Sequence, residues 1–281
     1  MIRIDAHHHF WSLERGDYGW LTEERHPAIY RDFLPSALAP LLREAAIDKT
    51  ILVQAAPSEA ETHFLLGIAH STDFVAGVVG WTRLEAPRAP NAIARLAQDD
   101  LLVGLRPMLQ DLPDDDWINS PSLAPAIDTV IRIGLRFDAL VKPRHLGPLM
   151  RFLERNPDLR IVIDHGAKPS LMNADLAAWA ANMRRIGKAT TAFCKLSGLA
   201  TEAGANWSAA TLAPAVDVLL EAFGPSRLMW GSDWPVLLEA GDYVAWYNAA
   251  NDLTRQLTLD ERNQVFGGSS AAFYGIGERV D

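Results

Sequence analysis

The 281-residue sequence predicts an α/β fold, a single (β/α)8 TIM barrel. Three observations carry the prediction: eight short β-rich runs, helical spacing between them, and a recurrence of roughly thirty residues. The runs are "MIRIDAH", "KTILVQA", "FVAGVVGW", "LLVGLRP", "GLRFDALV", "LRIVIDHG", "TAFCKLSG" and "RLMWGSDWP". In the first, Ile2, Ile4 and Ala6 alternate with Arg3, Asp5 and His7, the period of a strand whose faces see different surroundings. Continuing that alternation projects His7 and His9 together and turns His8 toward the helix layer. Neither the length nor the linker of a purification tag accompanies the three histidines.

Helical spacing follows. "PSALAPLLREAAI" places Leu38, Leu41, Leu42 and Ala45 on one stripe after a proline suited to a first turn. "HLGPLMRFLERNP" repeats the pattern and stops at Asn156-Pro157, and "AATLAPAVDVLLEAFG" ends on Gly224, a natural cap. An open doubly wound sheet would carry a glycine-rich turn after the first strand, where this chain has histidines. No Gly/Ser-rich linker breaks the alternation, so residues 1–281 are expected to form one barrel domain. The long segment after the first strand, "WSLERGDYGWL", is expected to loop over the barrel mouth, and its Arg15-Gly16-Asp17 triplet is read as loop rather than adhesion motif.

Bulk properties exclude several classes. A net charge of -9 argues against a nucleic-acid surface, which needs clustered Lys and Arg. The single cysteine, Cys194, excludes an intramolecular disulfide and a cysteine metal cage. No apolar run reaches the roughly 18 residues of a membrane span, and no signal-peptide layout opens the chain. A cytoplasmic protein is expected, with a small molecule as partner, no nucleic acid and no membrane; the oligomeric state stays open.

In such a barrel the site lies at the C-terminal ends of the strands. Those ends read His7 and His9, Gln54, Trp81, Arg106, Asp138, Asp164 with His165, Lys195 with Ser197, and Asp233. Chance rarely places so many polar groups at one end of apolar strands. Arg106 fits either a donor to substrate oxygens or an internal partner of Asp5 or Asp138, since buried arginines are usually paired. Lys195 is open in the same way. Of the nine tryptophans, Trp11 and Trp81 are expected to offer ring faces to a pocket, whereas Trp179, Trp230 and Trp246 are expected to pack.

The motifs "DAHHHFW", "DHGAKP", "CKLSGL" and "WGSDWP" resemble the lactonase branch of the amidohydrolase superfamily, whose members include L-fuconolactonases, L-rhamnonolactonases and pyrone-dicarboxylate lactonases. The resemblance runs from residue 2 to the "FGGSSAAFYGI" tail. Carried over by position, it implies catalytic roles for His7, His9, His165 and Asp233. Arg106 stands where a bridging lysine or glutamate would be, and Asp138 where a histidine would be, so two metal ions are not expected. His145, seven residues past Asp138, falls in the next helix and is not counted as a ligand.

Two readings of the cluster stay open. In one, His7, His9 and Asp233 hold one zinc ion or other divalent metal, with His165 near it. In the other no metal is required, and the imidazoles donate hydrogen bonds while Asp233 deprotonates water. Either way the expected reaction is hydrolysis of a sugar aldonolactone, best L-fuconolactone, with Arg106, Trp11, Gln54, Trp81 and Lys195 binding substrate. The rivals are a decarboxylase of the related barrel group and a non-catalytic binding protein for sugar acids.

Overall fold

One strand falls on each of the eight predicted runs, the first reaching one residue past its run: β1 Ile4–His8, β2 Lys49–Val53, β3 Val75–Gly80, β4 Leu102–Leu105, β5 Arg136–Ala139, β6 Ile161–Ile163, β7 Phe193–Leu196 and β8 Leu228–Trp230. The computed structural model describes residues 2–173 and 175–277; the remaining positions of the expected 1–281 domain lie outside the described residues. The strands pair in parallel in the order β1 to β8. The seam between β8 and β1 is made just past the strand ends, where Asp233 N donates to His7 O (2.8 Å) and His9 N to Trp234 O (2.7 Å). The chain is therefore a nearly closed (β/α)8 barrel.

Helices cross back between successive strands as a parallel sheet requires. The first, Pro35–Glu44, has its proline at the opening turn and buries Leu38 and Leu42 against the sheet. Helix Leu146–Arg155 stops at Asn156, and helix Ala209–Phe223 starts from Ser208, whose hydroxyl accepts from Thr211 N, and ends at Gly224 in a left-handed turn (φ 64°). Among the described residues no helix is long and apolar enough to cross a membrane.

Inside the barrel the lower layers are apolar. Ile4, Ala6, Ile51, Val53, Val162 and Met229 pack together and are covered by Phe273 and Tyr274. This filling makes the barrel a packed core, each large side chain contributing roughly 1.5–3 kcal/mol. The buried charged groups Arg106, Asp138, Asp164 and Lys195 gather above it, toward the C-terminal strand ends.

The alternation in β1 is interrupted. Ile4 and Ala6 face the barrel interior, yet so do His7 and His9, while Asp5 turns out to Tyr243. The β1–β2 register shifts between Asp5 and His8, the mark of a β-bulge, which inserts a residue and reverses the phase. Simple alternation, which sets Ile4 and Ala6 opposite His7, fails here for that reason. The Asp5 carboxylate steadies the bulge: it accepts from His7 N (3.2 Å), Ser232 N (2.8 Å) and Tyr243 Oη (2.9 Å).

The loop after β1 lies over the mouth and contributes Trp20, Arg25 and His26 to its cavity. Arg15 and Asp17 are paired with each other at 2.6 Å, with Asp17 also accepting from Ser58 Oγ beyond β2, so the charged groups of the triplet are engaged by the fold.

Candidate active site

The bulge and the seam bring two histidines together. His7 Nε2 and His9 Nε2 are 3.3 Å apart, and Asp233 Oδ1 lies 3.7 Å from the former and 3.4 Å from the latter. His165 Nε2 completes the group at 3.8 Å from the same oxygen. His8 takes no part: its Nε2 meets Thr50 Oγ1 at 2.8 Å and its ring packs on Phe10.

Local backbone geometry aims these groups. His165 (φ 54°) and Asp233 (φ 59°) both occupy the left-handed region, which costs a side-chain-bearing residue roughly 1 kcal/mol or more. The seam bonds of Asp233 and the contact of His165 Nδ1 with Ser197 Oγ at 2.8 Å hold them there. Two glycines make the space. A Cβ on Gly198 would lie 2.7 Å from the His165 ring, and one on Gly231 2.8 Å from His7 Cβ. The glycines of "CKLSGL" and "WGSDWP" are thus required by the histidines they touch.

Below the histidines lies a buried charge network. Lys195 Nζ is 2.5 Å from Asp138 Oδ2, 3.1 Å from Asp164 Oδ1 and 3.2 Å from His7 Nδ1. Tyr274 Oη donates to Asp138, and Arg106 Nη1 reaches Asp164 at 3.3 Å while Nη2 donates to Gln54 O. Three carboxylates, Asp138, Asp164 and Asp233, therefore face two cations, which leaves the site with one net negative charge.

Burial sets the protonation states. It drives His7 well below its ordinary value, helped by Lys195, and lowers His9 and His165, the last to about 4. All three imidazoles are neutral near pH 7. Burial pushes Asp138 up to about 6 against the pull of Lys195. For Asp233 burial also acts upward, but the neighbouring His165, the hydrogen bond from His9 and the nearby His7 outweigh it and hold the carboxyl well below the usual range. Lys195 and His7 likewise overcome burial at Asp164.

The donor set suits a divalent metal. Tetrahedral coordination at about 2.0–2.1 Å places ligand atoms roughly 3.3 Å apart, close to the spacings among His7, His9 and Asp233. His9 is prepared for it: Nδ1 lies 2.8 Å from Val53 O, which assigns its proton there and leaves a lone pair on Nε2. At His7 the nearby Asp164 carboxylate (3.5 Å) favours a proton on Nδ1 and the Lys195 ammonium favours a lone pair. A second triad, His7, Asp164 and His165, is close enough to hold a cation, but Lys195 and Arg106 already neutralise its carboxylate.

A cavity of about 340 Å³ opens above this floor, lined by His9, Arg106, His165 and Asp233 among others. Of the five residues expected to bind substrate, it brings only Arg106 to the cavity wall. Gln54 and Lys195 are fully buried beneath it, Gln54 Nε2 donating to Arg106 O and Lys195 enclosed by carboxylates. Trp11 is drawn under the mouth loop by an antiparallel bridge to Phe33, with Nε1 donating to Arg31 O. Trp81 lines a neighbouring cavity, its backbone N–H and C=O both tied to Thr62 Oγ1. Arg106 pairs with Asp164, not with Asp5 or Asp138. His145 Nε2 faces Asp115 at 3.3 Å.

Sequence reasoning missed the rim. Trp20, Arg25, His26, Gln110, Lys168, Glu202 and Glu239 come from the loops and short helices that follow the strands, where no long periodicity marks a direction; the pair His26 and Glu239, 2.6 Å apart, joins segments more than two hundred residues distant in sequence.

A parallel barrel that gathers imidazoles and carboxylates at the C-terminal strand ends has the architecture of a barrel hydrolase. The chain belongs to the amidohydrolase family, whose model matches residues 4–276. It is 48% identical over 279 residues, 98% of this chain and 96% of the relative, to an L-fucono-1,5-lactonase of Burkholderia ambifaria. An L-fucono-1,5-lactonase of Burkholderia multivorans is 35% identical, with 100% and 98% covered. A crystal structure of an amidohydrolase from Burkholderia multivorans with bound zinc has a TM-score of 0.92 and 36% identity, covering 98% of this chain and all of that one.

Proposed function

We propose that the chain hydrolyses sugar 1,5-lactones to open-chain acids, with L-fucono-1,5-lactone its preferred substrate. The observation that carries this is the Asp233 carboxylate, 3.4–3.8 Å from three imidazoles, on the floor of a cavity sized for one sugar ring. The full-length likeness to two relatives named for this activity supports it.

Asp233 accepts a proton from water as the water oxygen attacks the lactone carbonyl. Arg106, which lines the cavity, donates to substrate oxygens. When the tetrahedral adduct collapses, the bond to the ring oxygen breaks and Asp233 returns the proton to the departing alkoxide. Its lowered pKa makes the protonated carboxyl a strong acid, which suits that second task. Lys195 and Asp164 orient His7 from below. His7, His9 and Asp233 would hold one divalent ion, zinc suiting this donor set best, which when bound supplies Lewis acidity at the carbonyl.

Charge favours a neutral substrate. The cavity wall carries Arg25, Arg106 and Lys168 against Asp111, Glu202, Asp233 and Glu239, a poor receptor for a dicarboxylate. The test is a panel at matched concentrations, read with a pH indicator: L-fucono-1,5-lactone, L-galactono- and D-arabinonolactone, L-rhamnonolactone and pyrone-4,6-dicarboxylate. The highest kcat/KM is expected for L-fucono-1,5-lactone, with the next two also accepted. A clear preference for either of the last two contradicts the assignment.

A further inference from the structure

Beside the catalytic cavity lies a second of about 470 Å³, and Trp20, Met108 and Asp111 line both. Its walls are of another kind: Trp20, Trp81 and Trp117, each half-buried, with Leu84 and Leu112. Among the described residues no lysine, arginine or histidine lines it, whereas Asp17, Glu85 and Asp111 do. An anion is therefore repelled.

Several of its polar groups are also already engaged. Trp20 Nε1 donates to Ala55 O, Thr82 Oγ1 donates to Glu59, and Asp17 accepts from Arg15 and Ser58. Few directed hydrogen bonds remain for a hydroxylated ring, while three indole faces suit a neutral apolar group. The shared wall means that a substituent leaving a ring bound over Asp233 can cross Trp20 and Met108 into this space.

We propose that the second cavity is a subsite for an apolar substituent of the lactone, so that the enzyme also hydrolyses 1,5-lactones bearing an alkyl chain at C5. The inference rests on the lactone-hydrolase reading above. C5 is where a 6-deoxysugar lactone carries its methyl group, and lengthening that group extends the chain while leaving the reacting ester unchanged. The reaction is the same: water adds to the carbonyl, the bond to the ring oxygen breaks, and a hydroxy acid is released.

The experiment compares kcat/KM for δ-hexalactone, δ-octalactone, δ-decalactone and L-fucono-1,5-lactone in wild type, Trp117→Ala and Leu112→Ser. Neither substituted side chain lines the catalytic cavity. Each buried methylene favours binding, so wild type is expected to gain at least about tenfold from δ-hexalactone to δ-decalactone. Both variants should lose most of that gain and keep their rate on L-fucono-1,5-lactone. Should Trp117→Ala fail to fold, Leu112→Ser carries the comparison. A flat series in wild type, or a gain that survives both substitutions, overturns the subsite while L-fucono-1,5-lactone turnover leaves the hydrolase reading intact. If no lactone is turned over, that reading falls, and a fluorescence titration with δ-decalactone decides the subsite: saturable tryptophan quenching weakened by Leu112→Ser supports it, and no saturable quenching overturns it.

Discussion

His7 Nε2 stands 3.3 Å from His9 Nε2, while the ring of His8 between them points away to Thr50. Three adjacent histidines thus have two fates, and mutation should separate them. His7→Ala and His9→Ala are expected to lower kcat by at least about a hundredfold, the scale of losing groups that act on the reacting atoms. His8→Ala should keep most of the turnover and instead lose stability, roughly 1–3 kcal/mol for the buried ring and its hydrogen bond. Steady-state kinetics beside thermal unfolding check the contrast; equal losses of kcat in all three would contradict it.

The charge network beneath predicts metal content. Lys195 Nζ, 3.1 Å from Asp164, stands where a second cation would be drawn, so purified protein is expected to carry at most one divalent ion per chain. Elemental analysis finding two equivalents contradicts this. Activity of a metal-stripped sample then answers whether turnover needs the ion. Lys195→Met leaves Asp138 and Asp164 buried without their shared cation, and should cost about 3–5 kcal/mol by denaturant unfolding.

Much of this site was legible because barrel strands are short and end alike. Gln54, Trp81, Arg106 and Asp164 each directly follow a strand, as strand-end counting places them. Counting gives position along the axis, however, and not direction. Trp11 and Trp81 stand at the right height yet face elsewhere, because a bridge to Phe33 and bonds to Thr62 turn them. Nor does alternation survive β1, where a bulge held by Asp5 brings Ala6 and His7 to the same side. The buried network of Lys195, Asp138 and Asp164 joins β7, β5 and the turn after β6, a relation that no single segment displays.

Glu61 makes the stability depend on pH. Its carboxylate accepts from Ala55 N and Ala56 N just past β2, and burial raises it from 4.5 to about 7, those bonds and Arg106 opposing and Asp17 assisting. A carboxyl raised in the folded state stabilises fully below its unfolded value, and that contribution is lost as pH rises from about 4.5 to about 7. Denaturant unfolding should show the decline, and Glu61→Gln should remove up to about 3 kcal/mol of it. An identical decline in the variant would place its origin elsewhere.

The central claim is that Asp233 moves the proton in lactone hydrolysis. Its most direct measurement is turnover of L-fucono-1,5-lactone by wild type and Asp233→Asn in one assay, with binding of L-fuconate followed in parallel. Wild type is expected to hydrolyse the lactone. The Asn variant keeps the side chain's shape but cannot take the proton, so it should bind L-fuconate and fall to about a hundredth of the rate or less. An Asn variant retaining more than about a tenth of the rate would contradict the account, since general-base effects are at least tenfold larger than that loss.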